Sequence, residues 1–150
     1  MLLVVACNPP ITSGERTLTR VEMARKILGF DEVRVSNLIG IPTYRSGGLS
    51  DVATEQGIWL ASRPALSDAL FEASAVLLAY GLTPPTGPAR HHFRQQVNWL
   101  EAEIKKLILP VYWVGGAPRH PSRWQRYTFR TFSGEAFLEA LSKALVEREE

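Results

Sequence analysis

Apolar residues gather in four short runs, at Leu2–Ala6 and at residues 33–38, 75–80 and 109–113. Three of these runs show little polar alternation, the pattern of strands buried on both faces of a parallel sheet. Between them the apolar spacing changes to three and four. Leu18, Val21, Ala24 and Leu28 form one such stripe, and Gly29 follows as a C-terminal stop. Residues 52–61 and 65–73 read as two short helices separated by Ser62-Arg63-Pro64, because proline disfavours helix in the residue before it. The clearest stripe is Phe93, Val97, Leu100, Ile104 and Leu107, with Pro88 where a first-turn proline is tolerated. A last helix is expected over 134–148, capped by Ser133 and buried through Phe137, Leu138, Leu141 and Leu145.

Strands that alternate with helices predict an α/β fold. The expectation is a three-layer sandwich, with a four-stranded, mostly parallel sheet and helices on both faces. In such sheets ligands bind beyond the carboxyl ends of the strands. Two turn-rich loops, residues 8–15 and 81–87, follow predicted strands and mark that end as the candidate site.

Composition narrows the reading. A chain of 150 residues is expected to form one domain over 1–150, and 45% hydrophobic with 21% charged residues argues against disorder, collagen and coiled coil. No run approaches the ~20 apolar residues of a spanning helix. The opening run stops at Asn8-Pro9-Pro10 and lacks the basic start and cleavage region of a signal peptide. The single cysteine, Cys7, leaves no intrachain disulfide and no cysteine-based zinc site, and fits a reducing cytoplasm. Net charge is only +2, so the distribution of charge must decide on partners.

That distribution is uneven. Residues 119–130 hold four arginines, one histidine, three aromatics and no acid. Arginine offers forked contacts to phosphate and aromatic rings stack on bases, so Arg123, Trp124, Arg126 and Arg130 are candidate nucleic-acid contacts; the alternative is a solvated basic surface. The Asn8 loop lacks the lysine and glycine spacing of a phosphate loop; Asn8 is either a turn residue or a ligand contact. Asn37 closes the second strand, where its amide either bonds neighbouring loops or reads a ligand edge. Thr17 and Arg20 at a helix start could hold phosphate. His91 and His92 lie on the long predicted helix and suggest no metal site. Few acids fall in the candidate loops, and no carboxylate pair points to a magnesium-dependent nuclease.

Taken in order, Asn8-Pro9-Pro10, Glu15-x-Thr17-x-x-Arg20, Gly29-Phe30, Asn37-Leu38, Ala79-Tyr80-Gly81 and Arg119-His120-Pro121 resemble a bacterial and phage family known as domain of unknown function 1643, over roughly residues 4–124. Pro10 stands where that family carries serine, and Tyr80 where it carries tryptophan. More distantly, Asn8-Pro9, Asn37 and His120-Pro121-Ser122 resemble the uracil-DNA glycosylase superfamily. Those α/β enzymes flip a base from the duplex and break its glycosidic bond without metal. The resemblance implies that Asn8 positions water, Asn37 reads a base edge and His120 stabilises charge on the leaving base. The strong acid of the most active glycosylases has no counterpart here.

The expectation is a cytoplasmic enzyme, without cofactor or metal, acting on a nucleobase, nucleotide or nucleic acid, DNA before RNA. Its catalytic residues would be Asn8 and His120. Thr17, Arg20, Asn37, Tyr80, Gly81, Arg119 and Ser122 would bind substrate. The alternatives are a binding module without catalysis and a hydrolase of another phosphorylated small molecule. Asn8, Thr17, Arg20, Asn37 and His120 should share one cleft. His120, read as an exposed loop residue, is expected to be neutral beside its arginines and to carry little packing.

Overall fold

The computed structural model describes residues 1–43 and 48–149. Along the chain run β1 (Leu2–Ala6), α1 (Glu15–Leu28), β2 (Val33–Asn37), α2 (Leu49–Val52), α3 (Gln56–Leu60), α4 (Arg63–Glu72), β3 (Ala75–Leu78), α5 (Pro88–Leu107), β4 (Val111–Val114), α6 (Pro121–Thr131), α7 (Phe137–Ala144) and β5 (Leu145–Glu147). The strands form one sheet in the order β2-β1-β3-β4-β5. The first four are parallel and β5 runs antiparallel to β4. The fold is the expected α/β class, with five strands among the described residues rather than four.

Every residue of β1 and β3 is buried, so these strands hold the centre of the sheet. Their side chains alternate between two cores. Leu3, Val5, Val76 and Leu78 face α2 to α5, where Leu49, Trp59, Leu66, Phe93 and Leu100 pack. Leu2, Val4, Ala75 and Leu77 face α1, α6 and α7, where Val21, Trp124 and Leu141 pack. Helices therefore cover both faces.

Two expectations fail at the C-terminal end: the segment after the fourth strand, read from the sequence as loop, and the final helix. Residues 119–130 are mostly helix, not loop: Pro121 sits in the first turn of α6, and Pro121, Trp124 and Thr128 form its buried stripe. The spacing was present in the chain, but four arginines obscured it. The final helix is also shorter than 134–148. It has Ala136 rather than Ser133 at its N-cap, and Leu138 is exposed. Leu145 leaves the helix and pairs with Val114 in β5. Its burial satisfies a helical and a strand pattern alike, so three residues of edge strand were hidden in the helical stripe. Among the described residues no helix is long and apolar enough to cross a membrane.

One buried polar side chain ties the α2 to α5 face together. Gln96 of α5 is fully buried. Its Nε2 donates to the carbonyls of Leu38 and Trp59, each at 2.8 Å, and its Oε1 accepts from Arg63 Nε at 2.9 Å. The amide thus joins the end of β2, α3 and the start of α4 to one helix, with each bond in low dielectric. Removing it leaves the buried Leu38 carbonyl unpaired, takes one of two donors from the Trp59 carbonyl, which keeps the Ser62 N–H, and takes an acceptor from Arg63. Gln96→Ala should cost about 3 kcal/mol and lower the thermal midpoint by about 6–12 °C. Gln96→Glu keeps the volume yet turns an oxygen toward two carbonyls, so it too should unfold earlier in a calorimetric scan. A midpoint unchanged in both variants would deny the amide this role.

Candidate functional site

From β1 the chain passes to β2 on one side, and from β3 it passes to β4 on the other. Such a switch opens a crevice at the carboxyl ends of the two strands. A cleft of about 1100 Å³ lies there. One wall is the Asn8 loop with the start of α1; the others are the end of β2, the Tyr80–Pro85 loop and the arginine-bearing side of α6.

The walls near β1 are built by local bonds. Asn8 Nδ2 donates to the Ile41 carbonyl at 3.1 Å and to Thr43 Oγ1 at 2.9 Å. Asn8 is therefore no ordinary turn asparagine: its amide nitrogen holds the loop after β2, and its Oδ1 has no partner among the described residues. Gly14 adopts φ 71° before α1, and a Cβ there would meet Pro10 Cγ at 3.0 Å. No side chain caps α1, so its first N–H groups remain available beside Ser13 and Thr17. Asn37, the last residue of β2, pairs with Ala6 and lines the same cleft.

His120 has two roles in the geometry. It is the N-cap of α6, and its Nδ1 accepts the Ser122 backbone N–H at 3.1 Å, with Ser122 Oγ at 2.8 Å. A nitrogen that accepts an N–H carries no proton, so the neutral ring holds its proton on Nε2. Nε2 has no partner among the described residues. Burial, then the charges of Arg123 and Arg20, pull His120 below its usual 6.5. The expectation of a neutral imidazole is met, with burial rather than charge as the larger cause. The expectation of an exposed loop side chain with little packing is corrected: His120 is half-buried and caps α6. Elsewhere on the walls, burial pushes the Cys7 thiol up to about 12, so it stays protonated at neutral pH. Burial, helped by the Glu101 charge and opposed by Arg148, raises the Tyr80 phenol.

Arg119, Arg123, Arg126 and Arg130 all line the cleft. Arg123, Arg126 and Arg130 recur at the three- and four-residue spacing of one face of α6, and Arg119 lies just before its N-cap. None joins the ion pairs found among the described residues. The Arg119 guanidinium stacks 4.1 Å from the centre of the Tyr127 ring, and its Nε is buried with no hydrogen-bond partner among the described residues. Tyr127 can lie there because residue 115 is glycine at φ 66°: a Cβ would fall 2.3 Å from the ring. No carboxylate is among the described residues lining the cleft. Among the described residues no group of three or more His, Cys, Asp or Glu could hold a metal ion.

Asn8, Thr17, Asn37, Tyr80, Gly81, Arg119, His120 and Ser122 thus meet in one cleft. Arg20 is not among its lining residues; its guanidinium instead bonds Gln125 Oε1 on α6 at 3.3 Å. Trp124 is a correction. It is fully buried, and its Nε1 donates to the Arg119 carbonyl at 2.9 Å, so it anchors Arg119 rather than touching nucleic acid. Nothing in the sequence pointed to Thr43, the Asn8 partner that lines the cleft, or to the ring of Tyr127; the Gly115-Gly116 pair was the one hint of a close approach. Comparison with protein-family models, with curated proteins and with solved structures returns no match to this chain.

The cap makes stability depend on the His120 charge. Because its folded pKa is depressed, its contribution is full above 6.5 and is lost as pH falls through the lower folded value, where the unfolded chain binds the proton first. His120→Ala should cost about 1 kcal/mol at neutral pH, and His120→Asn, a good cap, only a few tenths. Urea titrations of the three proteins at pH 7.5 and 5.5, values spanning the usual histidine range of about 6.5, check this. Wild type should lose more stability on acidification than His120→Asn.

Proposed function

We propose that this protein is an enzyme acting on a nucleobase, nucleotide or nucleic acid, and that it cleaves or transfers at an N-glycosidic bond. One observation carries the reading: a histidine held neutral with its proton on Nε2 shares a cleft with four arginines and no carboxylate. The arginines suit phosphate oxygens. The Nε2–H suits a base oxygen on which negative charge builds. The likeness of the Asn8, Asn37 and His120 blocks to the glycosylase superfamily supports the same assignment, as does their meeting in one cleft.

In this chemistry the C1′–N bond breaks and its electron pair leaves with the base. His120 Nε2–H bonds the base oxygen as charge develops there, a contribution of about 3 kcal/mol. Asn8 Oδ1 accepts a hydrogen bond from the attacking water, whose oxygen adds to C1′ and whose proton passes to the departing base. The Asn37 amide pairs with the base edge. No cofactor enters the step. A second reading, binding without catalysis, is favoured by the lack of a carboxylate on the cleft wall to take the water's proton. The small-molecule hydrolase loses an anchor, because Arg20 bonds Gln125.

Release of free base, followed by chromatography, tests the proposal on oligonucleotides bearing deaminated or alkylated bases and on free nucleosides and nucleotides. Base should appear with at least one of them. His120→Asn should slow release about a hundredfold at nearly unchanged stability. Binding should weaken steeply with salt, and Arg123→Ala with Arg126→Ala should flatten that slope. Binding with no release from any substrate would establish the binding module instead. Full activity in His120→Asn would remove His120 from the chemistry.

A further inference from the structure

The outward face of α6 extends beyond the cleft. Its buried stripe is Pro121, Trp124 and Thr128. Opposite lie Arg126 and Arg130, both exposed, and beside them Phe129, which is 73% exposed and is not among the lining residues of the cleft. The ring serves neither of the two cores. Single exposed apolar residues are common and need no explanation. Phe129 differs in its setting: it flanks, on the same helix, two arginines that have no acidic partner among the described residues. The axial rise from Arg126 to Arg130 is about 6 Å, and from Arg123 about 10 Å, a length that consecutive phosphates of a strand can follow.

Positive charge that tracks a backbone, combined with an aromatic face, is the chemistry of single-strand binding. A paired duplex keeps its base faces stacked inside and gives such a ring nothing to cover. We infer that the outward face of α6 docks a single-stranded segment of nucleic acid, with Phe129 stacking on a base outside the cleft and Arg126 and Arg130 holding the flanking phosphates. This deepens the nucleic-acid reading of the cleft and rests on it: the strand would run from the α6 face into the site beside His120.

Fluorescence anisotropy with a labelled single strand of about 15 nucleotides, the matching duplex and a labelled mononucleotide tests this. The single strand should bind most tightly. Phe129→Ala should weaken it roughly tenfold or more, and Phe129→Trp should retain it. The thermal midpoint of Phe129→Ala should stay at the wild-type value, because the ring is exposed. Unchanged single-strand affinity in Phe129→Ala, or equal binding of the duplex, overturns the inference. Failure of the two readings is distinguishable. Phe129-dependent strand binding without base release supports docking and overturns the chemistry. Base release from nucleosides without oligonucleotide affinity overturns docking and leaves the chemistry standing.

Discussion

Burial of β1 and β3 on both faces is the constraint from which the rest of the molecule follows. Two adjacent strands with no polar face must be covered from both sides, which places α1, α6 and α7 on one side and α2 to α5 on the other. The chain leaves β1 in one direction and β3 in the other, so the carboxyl ends of these strands are where covering segments diverge. The cleft is a consequence of topology before it is a consequence of any site residue.

The residues at the rim are held by polar bonds that serve structure and chemistry at once. Asn8 commits its amide nitrogen to Ile41 and Thr43, which fixes the loop after β2 and leaves its carbonyl oxygen as the free polar atom. His120 commits Nδ1 to the first turn of α6, and the same bond decides which nitrogen keeps the proton. In both cases one end of the side chain is immobilised by backbone or a neighbour, so the other end needs little ordering when a ligand arrives. Behind the rim, Gln96 does comparable work wholly inside the protein, where unpaired carbonyls would be costly.

Arg123, Arg126 and Arg130 repel one another on one face of α6, with Arg119 just before its N-cap, and no acid among the described residues pairs with them. The arrangement persists because the opposite side of α6 is anchored in the core by Trp124, whose indole also ties down the Arg119 carbonyl. Arg119 itself is spread over Tyr127, which in turn needs the bare backbone of Gly115. Uncompensated positive charge on a rigid helix is a standing attraction for anions. Burial first, then the charges of Arg123 and Arg20, lower the His120 proton affinity.

Much of this was legible in the chain because it depends on short-range pattern. Runs such as Leu2–Ala6 are too short for a helix and read as strands buried on both faces, and the Phe93, Val97, Leu100 stripe reads as a helix covering them; from these the α/β class and the end of the sheet that holds the candidate site both follow. That Asn8, Asn37 and His120 would meet was readable too, since each lies at or after a strand's carboxyl end. What depended on partners distant in sequence was not. Trp124 and Phe129 are both aromatics amid arginines, yet one is fully buried and the other 73% exposed, because α6 turns a single stripe toward the sheet. Arg20 turns to Gln125 across 105 positions, and Leu145 leaves a helical stripe to pair with Val114. Local periodicity records which residues must be buried; which surface buries them, and which way a helix is rotated, are decided only when the whole chain packs.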